Sequence, residues 1–272
     1  MEFITSLLRI LDTDMETPTM FGWFHLLSWA LVIAFTVFLC VLHKKRPSER
    51  RVRAVVLGVA ITVAVFEIYK IINFSVGYED GTLTFEFPWY IFPWQFCSTP
   101  MYAGLLTGIF RRGKVHDALC AFLATYAIFA GCVVMIYPGD VFMDTIGINI
   151  QTMICHGSMI VVGIYLWYSG YVKTEHKTIL KALPVFAVAI GIAMILNEIA
   201  NASGLLAAGH GFNMFYISPY FECTLPVLSS IYPNVPFIVF ILIYSLGFLL
   251  VAFLLYLIQY GICALARRSR RA

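Results

Sequence analysis

Cys97 and His156 are the pair of side chains in this 272-residue chain best placed for covalent chemistry, a thiol to attack a carbonyl carbon and an imidazole to take its proton. The thiol lies in the run Phe92-Pro93-Trp94-Gln95-Phe96-Cys97-Ser98-Thr99-Pro100. Pro100 lacks an amide hydrogen and its ring clashes with the Phe96 carbonyl, so the turn carrying Cys97 should loosen. Exposed backbone amides or a helix start beside the thiol would favour the thiolate. A plainer reading stands beside this one, in which the cysteine packs and the imidazole makes an interhelical hydrogen bond. Cys155 is adjacent to His156 and points about 100° away from it on an ideal helix, so Cys97 is the preferred partner.

Other polar residues could support such a pair. Glu67 and Lys70 are three apart, hence neighbours on one helix face. They form an ion pair, or Glu67 orients His156 and Lys70 holds a lipid phosphate as a point charge. Asn197 and Asn201 are four apart and share a face, where their amides either join helices or donate to a substrate carbonyl. Gln95 and Asn197 are candidate donors to a tetrahedral oxyanion. His25 completes the set. No His or Cys pair has a metal-ligand spacing, and no metal site is expected.

These residues must be positioned by helices in lipid. The chain is 61% hydrophobic and 12% charged with a mean hydropathy of +0.86, too little polar surface to coat a soluble protein. Hydropathy places seven spans of about 20 residues each: Phe21 to His43, Ala54 to Val76, Ile91 to Phe110, Ala118 to Tyr137, Ile148 to Tyr171, Ile179 to Asn201 and Val235 to Ala264. Two-residue alternation is not sustained, which argues against a transmembrane barrel. All but two of the eighteen Lys and Arg fall in four tracts, Lys44 to Arg53, Arg111 to Lys114, Lys173 to Lys181 and Arg267 to Arg271. The connections Gly77 to Pro88, Pro138 to Gly147 and Ala202 to Asn234 hold no cation. Cytoplasmic loops accumulate Lys and Arg, so the amino terminus is expected outside and the carboxyl terminus inside.

The fold class is therefore an all-α, seven-span transmembrane bundle over residues 21–264, preceded by an outer-face amphipathic segment at 1–20 and followed by a basic cytoplasmic tail at 265–272. Phe3, Ile4, Leu7, Leu8 and Leu11 have the spacing of a short surface helix. The outer loop 202–234 is either a lid or an amphipathic segment resting on the surface. Seven cysteines without a C-x-x-C pair, six of them within spans, exclude a disulfide framework. The net charge of +3 belongs to the inner-leaflet tracts, so no nucleic-acid partner is implied.

With this topology His25, Glu67, Cys97, His156 and Asn197 all lie roughly 6 to 14 Å from the outer boundary. An ionisable side chain in mid-bilayer costs roughly 2.5 to 3.5 kcal/mol on insertion scales and usually faces a bundle interior or a watery cavity. One cavity opening toward the outer leaflet accounts for five helices delivering polar groups to one level.

The segments Phe92 to Tyr102, Ile154 to Met159 and Asn197 to Asn201, with Gly211-Phe212-Asn213-Met214-Phe215-Tyr216 and the Pro-rich approach to the last helix, resemble the bacterial YwaF-type integral membrane proteins. That family is similar to the mammalian transmembrane acyltransferase that remodels ether phospholipids through a catalytic cysteine. The resemblance covers most of the chain and implies Cys97 as the acyl-accepting thiol and His156, roughly sixty residues downstream, as its histidine. Bacterial members often carry His two residues before the cysteine, where this chain has Gln95, which removes one possible base. It implies a multi-pass protein of the bacterial cell membrane that acts on phospholipid and lysophospholipid as acyltransferase or acyl-ester hydrolase, without a soluble cofactor. Two other classes stay open: a proton-coupled transporter, which would use Glu67 and Glu198 and leave Cys97 dispensable, and a non-catalytic lipid-binding protein.

Overall fold

The computed structural model describes residues 12–43, 47–79, 82–204, 206 and 211–269. In chain order the helices are α1 Trp23–His43, α2 Glu49–Ser75, α3 Thr99–Ile109, α4 Lys114–Leu123, α5 Tyr126–Ile136, α6 Ile146–Tyr168, α7 His176–Ala202, α8 Leu228–Ile231 and α9 Phe237–Ser269. An antiparallel hairpin, β1 Val76–Glu79 and β2 Thr82–Phe85, follows α2 with Val76 opposite Phe85. Among the described residues, six helical stretches are long and apolar enough to cross a membrane: α1, α2, α4 with α5, α6, α7 and α9.

The expected third span, Ile91 to Phe110, is not a continuous helix. A 3-10 turn at Trp89–Ile91 gives way to irregular backbone, and regular helix begins only at Thr99. Two prolines explain this. Pro93 cannot donate to a helical ladder, whereas Pro100 falls in the first turn of α3, where its missing hydrogen costs nothing. The eleven residues of α3 cover about 16 Å, half of a hydrocarbon core. Yet α3 runs antiparallel to α2 and reaches its starting level: Arg53 Nη2 donates to the carbonyls of Gly108 and Ile109, at 2.8 and 2.9 Å. The Arg112 amide donates to Glu49 at 2.9 Å.

The fourth span also breaks, at Ala124 and Thr125, with Thr125 at φ −130° and ψ −79°. The Thr125 hydroxyl bonds back to Ala121 O, a habit that bends helices. Gln259 of α9 donates to the Ala124 carbonyl at 3.3 Å, so the break exposes no unpaired acceptor there.

Helix α6 is the hub and touches α1, α2, α4 and α5, with 72% of its spanning window buried against 17% for α9. Small residues permit this closeness. A Cβ on Gly131 of α5 would lie 2.5 Å from the His156 carbonyl, so α5 meets α6 backbone to backbone there. On the other side an aromatic stack joins three helices: Tyr126 on Phe186 at 4.6 Å, Phe186 on Phe248 at 5.6 Å and Phe248 on Tyr244 at 4.5 Å.

The expected amphipathic helix near the amino terminus falls on residues 1–11, outside the described residues. From Asp12 onward the chain is extended and pairs with the α5–α6 loop, Met15 N donating to Asp144 O and Ile146 N to Thr13 O.

Candidate functional site

Unwinding before α3 puts Cys97 two residues ahead of the first helical residue, so the thiol stands at the positive end of a helix dipole. Its peptide oxygen accepts a hydrogen bond from the Cys155 thiol at 3.7 Å, which joins α6 to this irregular segment. Cys155 is therefore the direct neighbour of residue 97. Among the described residues, no hydrogen bond links the Cys97 thiol to His156.

Beside the thiols lies a charged layer. Glu67 bridges Lys70 on its own helix and Gln151 on α6, whose amide nitrogen is 3.1 Å from Glu67 Oε2. The Glu67 side chain is 5% exposed and that of Lys70 18%, so this pair is shielded from bulk water and held by geometry. Both charges act electrostatically on Cys97, and Lys70 acts on His156 as well. His156 is buried, with Nδ1 2.8 Å from the Thr152 carbonyl. A carbonyl only accepts, so Nδ1 carries the proton and Nε2 presents the lone pair that a base needs.

Below the charged layer a narrow pocket of about 20 Å³, room for a single water molecule, lies between α2, α3, α4 and α6. Cys97, Cys155 and Ser158 are the polar groups on its wall, and the remainder is aliphatic.

The candidate oxyanion donors do something different. Gln95 Nε2 donates to Asn213 O at 3.0 Å while its Oε1 accepts from the Phe215 amide at 2.8 Å. Asn197 grips the next residue in the same way, giving Nδ2 to Met214 O at 3.0 Å and accepting from Met214 N at 2.7 Å. Asn201 adds a bond to Phe212 O at 2.9 Å. Three amides, from the irregular segment and from α7, thus clamp the backbone of residues 212–215 across one end of the bundle. The clamp holds an unfavourable backbone, for Phe215 and Tyr216 have φ of 59° and 57°.

His25 stands apart from this group. Its Nε2 donates to the Met135 carbonyl at 2.8 Å and its Nδ1 accepts from the Phe21 amide at 2.9 Å, which pins α1 to the end of α5. Of the five residues that the sequence places at one depth, Glu67 lies with Lys70 and Gln151 and Cys97 beside Cys155, His156 bonds within its own helix to Thr152, Asn197 is taken up by the Met214 backbone, and His25 has a separate seat among Phe24 and Phe142. Glu198 likewise faces outward, where its carboxylate accepts from the exposed Tyr220 hydroxyl at 2.8 Å.

Tyr216 is the residue that spacing does not reveal. The clamped loop carries its phenol into electrostatic range of Cys97, and burial, then the Cys97 and Cys223 thiols and Asp140, push that phenol up from its ordinary value. It thus stays protonated at neutral pH and available as a donor. Its position depends on a loop folding back, and no hydrophobic period records that.

Residues 20–258 match the TMEM164 family. The match is to the family as a whole, not to a bacterial subgroup. Neither a curated protein nor a solved structure matches the chain.

Proposed function

The chain belongs to the TMEM164 family, a multi-pass integral membrane protein by family and by its apolar helices, and from that premise we propose that it is a lipid acyltransferase or acyl-ester hydrolase working through Cys97. The observation that carries this reading is a thiol at an unwound helix start, set between a charged layer and a wall of packed aliphatic side chains with a narrow pocket in it. An ester-linked lipid has the same sequence of parts: polar head, carbonyl, hydrocarbon.

In the proposed reaction His156 Nε2 takes the Cys97 proton and the thiolate attacks the ester carbonyl carbon. A C–S bond forms, the C–O bond to the lipid backbone breaks, and the departing alkoxide takes its proton from the imidazolium. A lysolipid hydroxyl or water then attacks the thioester and returns the thiol. Catalytic hydrogen bonds in ligand-free sites are often long and tighten with substrate, so thiol and imidazole need not touch beforehand. Tyr216, protonated and on the clamped loop within electrostatic range of Cys97, replaces Gln95 and Asn197 as oxyanion donor, because both amides are occupied by the loop. Lys70 faces the lipid phosphate. No step calls on a soluble cofactor.

The topology proposed with this function has seven traverses, amino terminus outside and carboxyl terminus inside, the third made by the irregular segment and α3. The cation-rich tracts at Arg50 to Arg53 and Arg111 to Lys114 support it. Irregular backbone at membrane depth is tolerated where protein surrounds it, as the clamp does here.

Purified protein given a phospholipid with a labelled acyl chain should acquire the label through a hydroxylamine-sensitive bond. Cys97→Ala should abolish the label and Cys155→Ala should keep it. Labelling with the opposite pattern would overturn the assignment.

A further inference from the structure

We propose that the groove at the cation-rich end of α2 is a binding site for an anionic phospholipid, separate from the thiol and independent of the thioester reading. The groove is open, holds about 660 Å³, and runs between the first turns of α2 and the end of α3. That volume falls in the range of sites for small molecules. Arg50, Arg53 and Arg111 line one end of it, and Ala54, Leu57 and Gly108 continue it toward mid-membrane. Glu67 is fourteen residues from Arg53 along α2, so about 21 Å separates this groove from the charged layer beside Cys97.

The three guanidinium groups are not equivalent. Arg53 is structural: Nε donates to the Gly108 carbonyl at 3.0 Å, and Nη2 donates to Gly108 and Ile109, which ties α2 to α3. Arg50 and Arg111 are exposed, and among the described residues their side chains have no hydrogen-bond or ion-pair partner. Glu49, the carboxylate on the wall, already accepts from the Arg112 amide at 2.9 Å and lies 4.0 Å from Arg53. Three guanidinium charges less this carboxylate leave the wall at +2, with two forks available to a phosphate. Ser48 makes no capping bond, so the first amides of α2 add to the same field.

The apolar end decides between a lipid and a free phosphate. Gly108 closes the floor, for a Cβ there would lie 2.6 Å from Leu57 Cβ and the helices meet closely. Leu57 is half-buried and Ala54 exposed, where α2 enters its apolar run, so hydrocarbon is what they face. From Arg50 to Leu57 the descent is about 10 Å, enough to pass from a phosphate to the first methylenes of a chain. Basic pockets between transmembrane helices hold anionic head groups in this way.

The test is native mass spectrometry of the full-length protein in a neutral detergent, with phosphatidylglycerol and phosphatidylcholine of the same chains in competition. Phosphatidylglycerol should be retained about tenfold more tightly. Arg50→Gln with Arg111→Gln should abolish that preference at an unchanged melting temperature, since neither side chain bonds to the fold. Lys177→Gln with Lys181→Gln removes the same exposed charge from another basic tract and should keep it. Glycerol phosphate, a head without chains, should displace the lipid only at about a hundredfold higher concentration or more. Equal loss in both double variants would reduce the effect to net charge, and a preference that survives Arg50→Gln with Arg111→Gln would put the lipid elsewhere; either result overturns the proposal. Displacement by glycerol phosphate at the lipid's own concentration would make the groove a site for soluble phosphates and overturn the lipid assignment. Acylation of Cys97 is a separate readout, and its failure leaves this proposal standing.

Discussion

Glu67 accepts from both Lys70 and Gln151, and its loss would strand an ammonium with little water around it. Breaking a buried pair by one partner is far costlier than replacing both by apolar groups. Glu67→Ala is therefore expected to cost about 3 kcal/mol, and the double change Glu67→Ala with Lys70→Met to recover most of it. Unfolding in detergent, followed by tryptophan fluorescence, checks the ordering; equal losses would mean that Lys70 reaches water easily. Tyr216 is a different kind of test. If its phenol steadies the oxyanion, Tyr216→Phe should slow thioester formation about a hundredfold at unchanged melting temperature, as for loss of one such donor elsewhere. A normal rate would remove it from the mechanism.

Among the elements, the loop at residues 212–215 is held chiefly by side-chain amides. Gln95 and Asn197 each offer one donor and one acceptor to backbone between Asn213 and Phe215. Gln95→Ala or Asn197→Ala would leave such groups unsatisfied, at about 1 to 3 kcal/mol each. Faster cleavage at residues 212–216 by an added protease is the expected readout. Hydropathy made the long apolar helices legible in the sequence, and the pair of prolines made the weakness around Cys97 legible. Hydropathy did not distinguish a half-length helix from a full one in the third span, because composition is blind to whether backbone is regular. The same limit applied to the polar layer. Depth along a helix follows from counting residues, but the direction of His25, toward Met135 rather than Cys97, depends on how α1 rotates against α5. The hairpin of β1 and β2 had a signal in Asp80-Gly81 between alternating residues.

Over the whole molecule, α3 returning to the level of Arg53 makes the number of traverses odd in the proposed topology. A reporter inserted in the hairpin connection at 80–81 should then be accessible from outside the cell, and one at Arg111 to Lys114 from the cytoplasm. The same side for both would remove the third traverse and leave an even bundle. The Glu67–Lys70 pair has a further bearing, on biosynthesis. Its two members are on one helix, three residues apart, so α2 can neutralise itself while it leaves the ribosome and enters the bilayer. Gln151 emerges more than eighty residues later. The charges are thus quenched during the interval when no tertiary partner exists, and the amide from α6 only fixes their orientation once the remaining helices have been made.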